Sequence, residues 1–196
     1  MLIRSSILGA AIVLSCAASA SADTIFFDDF NRANNSTVGN GWQEAGGVSI
    51  NNNQLLFDGN GTLTATQGTS PLSTIGLTNI TLEYDWQGVN TEASDTLKAY
   101  WSSDGVNFTL LGTHVLSSPG GHATWTLGAA AQNQADIAIR FEYAGDMGND
   151  AARIDNVNLT GVASVPGPIV GAGLPGLIVA CGGLVALARR RKATVA

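Results

Sequence analysis

Four oxygen-bearing side chains lie close to the two ends of the predicted β-domain. Asp28 and Asp29 follow the first predicted strand, and Asp155 and Asn156 lie within the last one. Calcium binds about six to eight oxygens from carboxylates, amides and carbonyls, and a jelly roll often brings its first and last strands together. We therefore expect a structural Ca²⁺ ion at these four residues. The alternative is that Asp28 and Asp29 are solvated and that Asp155 and Asn156 form a bulge.

The four tryptophans offer flat rings on which a sugar could stack. Trp86 alternates with the apolar residues of its strand, so we place it in the core. Trp42 and Trp101 are our candidates for exposed glycan-binding residues. Aromatic residues of a β-sandwich more often pack than bind, so the competing interpretation is that both are structural.

Acid–base and nucleophilic catalysis find little support in the residue pattern. Glu83 and Asp85 share one face of a strand, and paired carboxylates about 5 to 9.5 Å apart hydrolyse glycosidic bonds. The alternating acidic residues do not continue beyond Asp85, because residues 86–88 are Trp, Gln and Gly. A solvated strand face therefore explains the pair better. His114 and His122 lack a metal-ligand spacing, and the predicted domain has neither a cysteine nor a Gly-x-Ser-x-Gly motif. We predict no catalytic residue.

The elements that position these residues are predicted to be short β-strands. In 80–86 and 137–143, apolar residues alternate with polar ones, which is typical of strands with one buried face. Asp104-Gly105 supplies turn chemistry for a hairpin between two further strands. The remaining strands are predicted at 24–27, 48–50, 54–57, 61–66, 97–101, 108–111, 123–127 and 152–159, and a helical turn at 129–135. This pattern predicts an all-β fold, an antiparallel β-sandwich of the jelly-roll type.

Both ends of the chain have the composition of membrane-directed segments. Residues 1–22 combine a basic start, an apolar run and small residues before Asp23, which predicts a helical signal peptide; a lipidated Cys16 is the competing interpretation. Residues 169–188 carry no charge and, at about 1.5 Å per residue, would form a transmembrane helix roughly 30 Å long. The basic tail 189–196 follows, and its arginine cluster favours a cytoplasmic C-terminus.

Between these ends we predict a domain at 23–162 and a Pro/Gly linker at 163–168. Neither Cys16 nor Cys181 belongs to the domain, so it must fold without disulfides. The domain holds all fifteen acidic residues and four of the nine basic ones, which gives it a formal charge of −11 against −6 for the whole chain. Nucleic acid and anionic lipid need clustered Lys and Arg, so this charge argues against both as partners.

The C-terminal segments resemble the PEP-CTERM sorting signal of bacteria. The residues that carry the resemblance are Val165, Pro166, Gly167, Pro168, Arg189, Arg190 and Arg191. In that family a Val-Pro-Glu-Pro-like motif and an arginine cluster flank an apolar helix, and the tail is recognised by an exosortase, a membrane-embedded cysteine transpeptidase. Here Gly167 stands in place of the Glu. A variant exosortase and a plain membrane anchor therefore stay open as alternatives.

Segments of the domain resemble extracellular jelly rolls, including the galactose-binding-like and MAM-like domains. They are the hairpin 100–109 with its Ser-x-Asp-Gly turn, and residues 138–141 and 153–157, which are similar to the last two strands of those domains. The opening 28–32 resembles that of lectin-like sandwiches. These resemblances imply a jelly-roll fold with a structural calcium near its terminal strands, and they say little about a ligand.

The sequence as a whole predicts an exported bacterial cell-surface or extracellular-matrix protein. We expect it to be held in the inner membrane until an exosortase cleaves it, and its β-sandwich to act in adhesion or exopolysaccharide association without catalysis. Two alternatives stay open. One is a secreted lectin-like glycan hydrolase that uses Glu83 and Asp85, and the other is a passive, permanently anchored surface protein.

Overall fold

A computed structural model describes residues 21–117, 119–146, 149–164 and 181–184. The chain divides into two compact units, Met1–Ser164 and Val165–Ala196. The first unit contains the β-domain. In the second, residues 181–184 are helical and exposed.

The β-domain is a sandwich of two antiparallel sheets. Its strands are β1 (Ala22–Asp28), β2 (Trp42–Ala45), β3 (Val48–Asn51), β4 (Gln54–Asp58), β5 (Gly61–Leu72), β6 (Leu77–Val89), β7 (Thr96–Ser102), β8 (Thr109–Val115), β9 (Gly121–Thr126), β10 (Ile137–Gly145) and β11 (Ala151–Ala163). The six-stranded sheet has the order β3-β4-β11-β6-β9, with β1 also paired to β11. The five-stranded sheet has the order β2-β5-β10-β7-β8.

Alternating apolar residues of the central strands form the core between the sheets. Ile80, Leu82 and Tyr84 of β6 are fully buried, as are Phe141 and Tyr143 of β10. The rings of Tyr84 and Phe141 meet edge to face with centroids 4.8 Å apart, so the two sheets are in direct contact there. The residues between these positions point away from the core and give each sheet an outer polar face.

Several connections cross from one sheet to the other, and two of them, β6–β7 and β10–β11, lie side by side at one end of the sandwich. β6 leads from the six-stranded sheet into β7, and β10 leads from the five-stranded sheet into β11. The register pairs Val89 with Ala151 and Thr96 with Ala144, so both crossings begin and end at neighbouring positions. Residues of these two connections are therefore brought close together.

The predicted antiparallel β-sandwich is confirmed, and each of the ten predicted strands overlaps an observed one. The sequence misses β2, because Trp42 is its one buried residue and no alternation is visible. The predicted hairpin is formed by β7 and β8, and its turn is held by Oδ1 of Asp104, which accepts from the amides of Val106 and Asn107 at 2.9 and 2.7 Å. The helical turn expected at 129–135 is a 3₁₀ turn over Ala129–Ala131.

The helices predicted at the two ends of the chain fall outside the described residues, apart from residues 181–184 of the expected span. Within the described stretches, no helix has both the length and the apolar character that a bilayer crossing requires.

Candidate functional site

The outer face of the five-stranded sheet carries polar and aromatic side chains in two cross-strand rows. The first row consists of Gln43, Thr66, Arg140, Tyr100 and Leu110. The second consists of Thr64, Glu142, Lys98 and Thr113. All of them are at least partly exposed. We call these nine residues, together with Phe108, the Arg140 face.

Two aromatic rings position the guanidinium of Arg140 at the centre of this face. Its Cζ lies 3.9 Å from the ring centroid of Phe108 and 4.9 Å from that of Tyr100. Both distances are within cation–π range, which is worth about 0.5–1 kcal/mol at exposed sites. Among the described residues, the Arg140 Nε has no hydrogen-bond partner. The rings therefore hold the guanidinium in place, and its Nε is buried without a partner.

A carboxylate next to Arg140 organises the second row of the face. Oε1 of Glu142 accepts hydrogen bonds from Nζ of Lys98 and from the Tyr100 hydroxyl, each at 3.1 Å. The hydrogen bond to Glu142 raises the pKa of Lys98, while burial and then the charge of Glu142 raise that of Tyr100. Lys98 is thus cationic and Tyr100 is a neutral donor at physiological pH.

The Arg140 face has the components that recognition of a sugar requires. Tyr100 and Phe108 supply partly exposed aromatic surface, and Leu110 adds exposed apolar surface beside them. Guanidinium, carboxylate and hydroxyl groups at neighbouring positions offer donors and acceptors for sugar hydroxyls. An open, mainly polar sheet face suits binding along an extended chain better than enclosure of a small molecule.

The exposure expected of Trp42 and Trp101 is wrong, because both are core residues with 5% and 7% of their surface exposed. The Trp42 ring packs against Phe26, Phe30 and Phe141 with centroids 5.9–6.0 Å apart. Neither indole presents a free ring face to a sugar. The structural alternative applies to both, and alternation on β7 could have shown it for Trp101.

Asp28 is a buried structural carboxylate rather than an open metal ligand. Its Oδ1 accepts from the Phe30 amide and from Nη1 of Arg32, at 2.9 and 2.7 Å. Its Oδ2 accepts from Arg32 Nη2, Asn40 Nδ2 and Trp42 Nε1, at 2.9–3.0 Å. Burial alone would raise the pKa of Asp28, but these hydrogen bonds outweigh it and keep the pKa below its usual value. Both carboxylate oxygens of Asp28 are therefore occupied by hydrogen bonds from the protein.

The other three residues of the expected calcium site do not form a ligand set with Asp28. Asp29 is partly exposed, and its Oδ2 accepts from Nδ2 of Asn31 at 2.9 Å. Asn156 has φ of 51° at an irregularity in the β11–β6 pairing, which is the bulge considered as the alternative. Asp155 lies opposite Asp85, and burial, followed by the charges of Asp85 and Asp29, raises the pKa of Asp155.

The carboxylate pair considered for hydrolysis lies on the outer face of the six-stranded sheet. Oδ1 of Asp85 is 2.8 Å from Nδ1 of His122, and its Oδ2 accepts from Nδ2 of Asn156 at 2.8 Å. These two contacts lower the pKa of Asp85. A carboxylate that is stabilised in its charged form is a poor proton donor, so Asp85 does not fit the role of a general acid.

A group of acidic residues that the sequence analysis did not single out could hold a metal ion. Glu92, Asp95, Asp146 and Asp150 each place an oxygen within 4.8 Å of the others. They come from two connections more than fifty positions apart, so no local motif marks them. The predicted sorting residues Val165–Pro168 and Arg189–Arg191 lie outside the described residues.

Comparison with known proteins supports the architecture. No family model matches the chain, and no curated protein matches it. A similar solved structure is the K3 cleaved adhesin domain of Lys-gingipain from Porphyromonas gingivalis w83, with a TM-score of 0.52 and 16% identity over 71% of this chain and 99% of that one. The CBM22-1 xylan-binding domain of Paenibacillus barcinonensis Xyn10C gives 0.49 and 11% over 76% and 100%.

At these identities the similarity shows the fold alone. The C-terminal family 22 carbohydrate-binding module of Clostridium thermocellum Xyn10B gives a TM-score of 0.49 and 13% identity over 73% of this chain and 96% of that chain. The chain's own two-sheet β-sandwich is thus similar in architecture to the K3 adhesin domain. What its own surface binds must be argued from its own residues.

Proposed function

We propose that the β-domain is a non-catalytic module that associates with extracellular polysaccharide through the Arg140 face. The observation that carries this proposal is the position of Arg140 over Tyr100 and Phe108 on a solvent-facing sheet surface. Such an arrangement adds nothing to the core. Proteins that bind carbohydrate share the fold, but the proposal depends on the face and not on that similarity.

A sugar chain would lie across the strands, with ring faces against the aromatic side chains. The Arg140 guanidinium and the Glu142 carboxylate would then bind hydroxyl groups at either side of the ring, because charge-assisted hydrogen bonds are stronger than neutral ones. No single contact here is strong. We therefore expect weak binding of one sugar, and tighter binding of a polymer that contacts the Arg140 faces of several protein molecules at once.

We also propose that the protein reaches the cell surface or matrix by export, transient anchoring and exosortase cleavage. The support is the order of the signal-like residues 1–22, the Pro motif at 165–168, the uncharged segment 169–188 and the arginine cluster. Anchoring would keep the C-terminus cytoplasmic, as the clustered cations require. Permanent anchoring is the competing outcome.

The binding proposal is tested by retention on polysaccharide. The full-length chain in non-ionic detergent should be retarded by polysaccharide from the producing cell's own matrix. Arg140→Ala and Tyr100→Ala should each reduce retention about tenfold or more. Glu83→Gln, on the outer face of the opposite sheet, is the matched control and should bind normally. Loss of binding in the control but not in the two variants would refute the assignment of the face.

The same variants separate the alternatives. A hydrolase would release reducing sugar ends and would lose this activity in Glu83→Gln, whereas we expect no release from the unchanged chain. A passive surface protein would show no retention at all.

The sorting proposal is tested with one epitope inside the β-domain and another after Lys192. We expect the two epitopes to separate, with the domain epitope leaving the membrane fraction and the C-terminal one staying behind. If both remain together in the membrane throughout growth, the chain is a permanently anchored protein.

A further inference from the structure

Four carboxylates meet where the two sheet-crossing connections lie side by side. Glu92 and Asp95 belong to the connection between β6 and β7, and Asp146 and Asp150 to the one between β10 and β11. One oxygen of each lies within 4.8 Å of the others. Asp95 and Asp150 are 0% and 1% exposed, so water screens little of their charge.

No basic side chain among the described residues offsets the charge of Glu92, Asp95 or Asp146. The four basic residues of the domain make their contacts elsewhere: Arg32 with Asp28, Lys98 with Glu142, Arg140 with Phe108 and Tyr100, and Arg153 with Asn51 and Gln54. Solvent exclusion, followed by the charges of Asp150, Asp95 and Asp146, raises the pKa of Glu92. Carboxylates this close to one another repel when no cation lies between them.

Two fully buried oxygens at this group lack hydrogen-bond partners among the described residues. One is Oδ1 of Asp95, whose Oδ2 accepts from the Glu92 amide at 2.9 Å. The other is the hydroxyl of Tyr143, a residue that does not belong to the group itself. Buried polar atoms without partners are uncommon in native proteins and each needs an explanation.

Tyr143 is directed at the acidic group by its own strand. Its hydroxyl lies 2.0 Å from where a Cβ on Gly145 would be, so the ring extends along β10 toward Asp146. Burial, followed by the charges of all four carboxylates, raises the pKa of Tyr143. Glycine at 145 is thus required for the hydroxyl to reach this position.

We propose that Glu92, Asp95, Asp146 and Asp150 bind a Ca²⁺ ion that joins the β6–β7 connection to the β10–β11 connection. Ca–O distances of about 2.3–2.6 Å allow ligand oxygens up to roughly 5 Å apart around one ion, which fits the 4.8 Å spread. Oxygen-only ligands suit a hard cation. Calcium tolerates irregular geometry, whereas magnesium requires a near-ideal octahedron at about 2.0–2.1 Å and keeps several waters.

The ion would cross-link the two connections, as a disulfide does in many small exported domains. The described part of the domain contains no cysteine, and each of the two connections passes from one sheet to the other. Binding to carboxylates of both connections would tie the two sheets together at this end. It would also remove the repulsion that now opposes folding there.

The test is calcium titration of the chelator-treated full-length chain in detergent, followed by calorimetry and by thermal melting. We expect one calcium ion per chain and a higher melting temperature with Ca²⁺ than with the same concentration of Mg²⁺. Asp146→Asn changes an exposed residue, so the variant should fold and bind calcium at least tenfold more weakly. Asp155→Asn, at the terminal-strand site expected from the sequence, is the matched control and should bind as the unchanged chain does.

Glu92→Gln gives a readout that a purely structural role would not produce. It removes one of four repelling charges, so it should raise the melting temperature in chelator and reduce the gain on adding calcium. The proposal is overturned if calcium gives neither heat nor a melting shift, if magnesium acts equally well, or if Asp155→Asn abolishes binding while Asp146→Asn does not.

Discussion

Replacing Asp28 with Asn tests whether this residue is a structural carboxylate or a calcium ligand. The amide nitrogen of Asn would take the place of Oδ2 and meet three donors, those of Arg32, Asn40 and Trp42. The Trp42 Nε1–H is buried, and leaving it without an acceptor costs about 1–3 kcal/mol. Arg32 is about one-third exposed, so its loss is smaller. We expect a total loss of about 3 kcal/mol in the free energy of unfolding.

Urea unfolding in the presence of a chelator measures this loss, and a melting temperature lower by about 10 °C should accompany it. Asp29→Asn is the matched control, because Asp29 is partly exposed and its carboxylate accepts hydrogen bonds from Asn31 alone among the bonds described. It should change the free energy of unfolding by less than about 0.5 kcal/mol. If Asp28→Asn is silent in chelator and destabilising only with calcium, Asp28 is a metal ligand and the structural explanation is refuted.

The loss should also depend on pH with a defined sign. The pKa of Asp28 is lowered from its ordinary value of 3.8, so its stabilising contribution is complete above about pH 4 to 5. That contribution is lost as the pH falls through the lower, folded-state pKa. The difference between the unchanged chain and Asp28→Asn should therefore shrink steadily below pH 4. A difference that stays constant down to pH 2 would contradict the hydrogen-bond geometry.

Other predictions follow from the core. Trp101→Ala should cost about 3–5 kcal/mol in urea unfolding, while polysaccharide retention per folded molecule stays unchanged, because Trp101 is buried; a specific loss of retention would make it a binding residue after all. Gly112→Ala should lower the melting temperature, since the added Cβ would lie 2.2 Å from the Trp125 ring; an equal melting temperature would show that the indole moves freely. Burial lowers the pKa of His114 from 6.5, so stability should decline as the pH falls below about 6.5 toward the folded-state pKa, and His114→Asn should remove that slope in melting curves.

Much of the architecture could be predicted from the sequence, because the alternation of apolar and polar residues along a strand shows which side chains are buried. Phe141 and Tyr143 point inward and Arg140 and Glu142 outward, as the pattern of β10 predicts. Alternation does not say which strands are neighbours. The Arg140 face needs β10 beside β7, a pairing that joins residues forty positions apart, so its residues could not be grouped beforehand.

The acidic residues show the same limit more clearly. Asp28 follows the first strand, as expected, yet its partners Asn40 and Trp42 come from a loop and from β2, which the sequence did not reveal. The acidic group spans residues 92 to 150 and becomes visible only when the two sheet-crossing connections meet. The expected calcium site was chosen from residues near the first and last strands, whereas the acidic group could be recognised only from the fold.

Binding of polysaccharide at the Arg140 face is the central claim, and the side-chain Nε–H resonance of Arg140 tests it most directly. This N–H is buried and has no partner among the described residues, so its signal reports on any change in how the guanidinium is held when a ligand binds to the face. Titration of the ¹⁵N-labelled chain with oligosaccharides from the producing cell's matrix should shift this resonance and the amides of Tyr100 and Glu142 in a saturable manner. Saturable shifts confined to Glu83, Asp85 and His122, or no shifts while retention persists, would contradict the account.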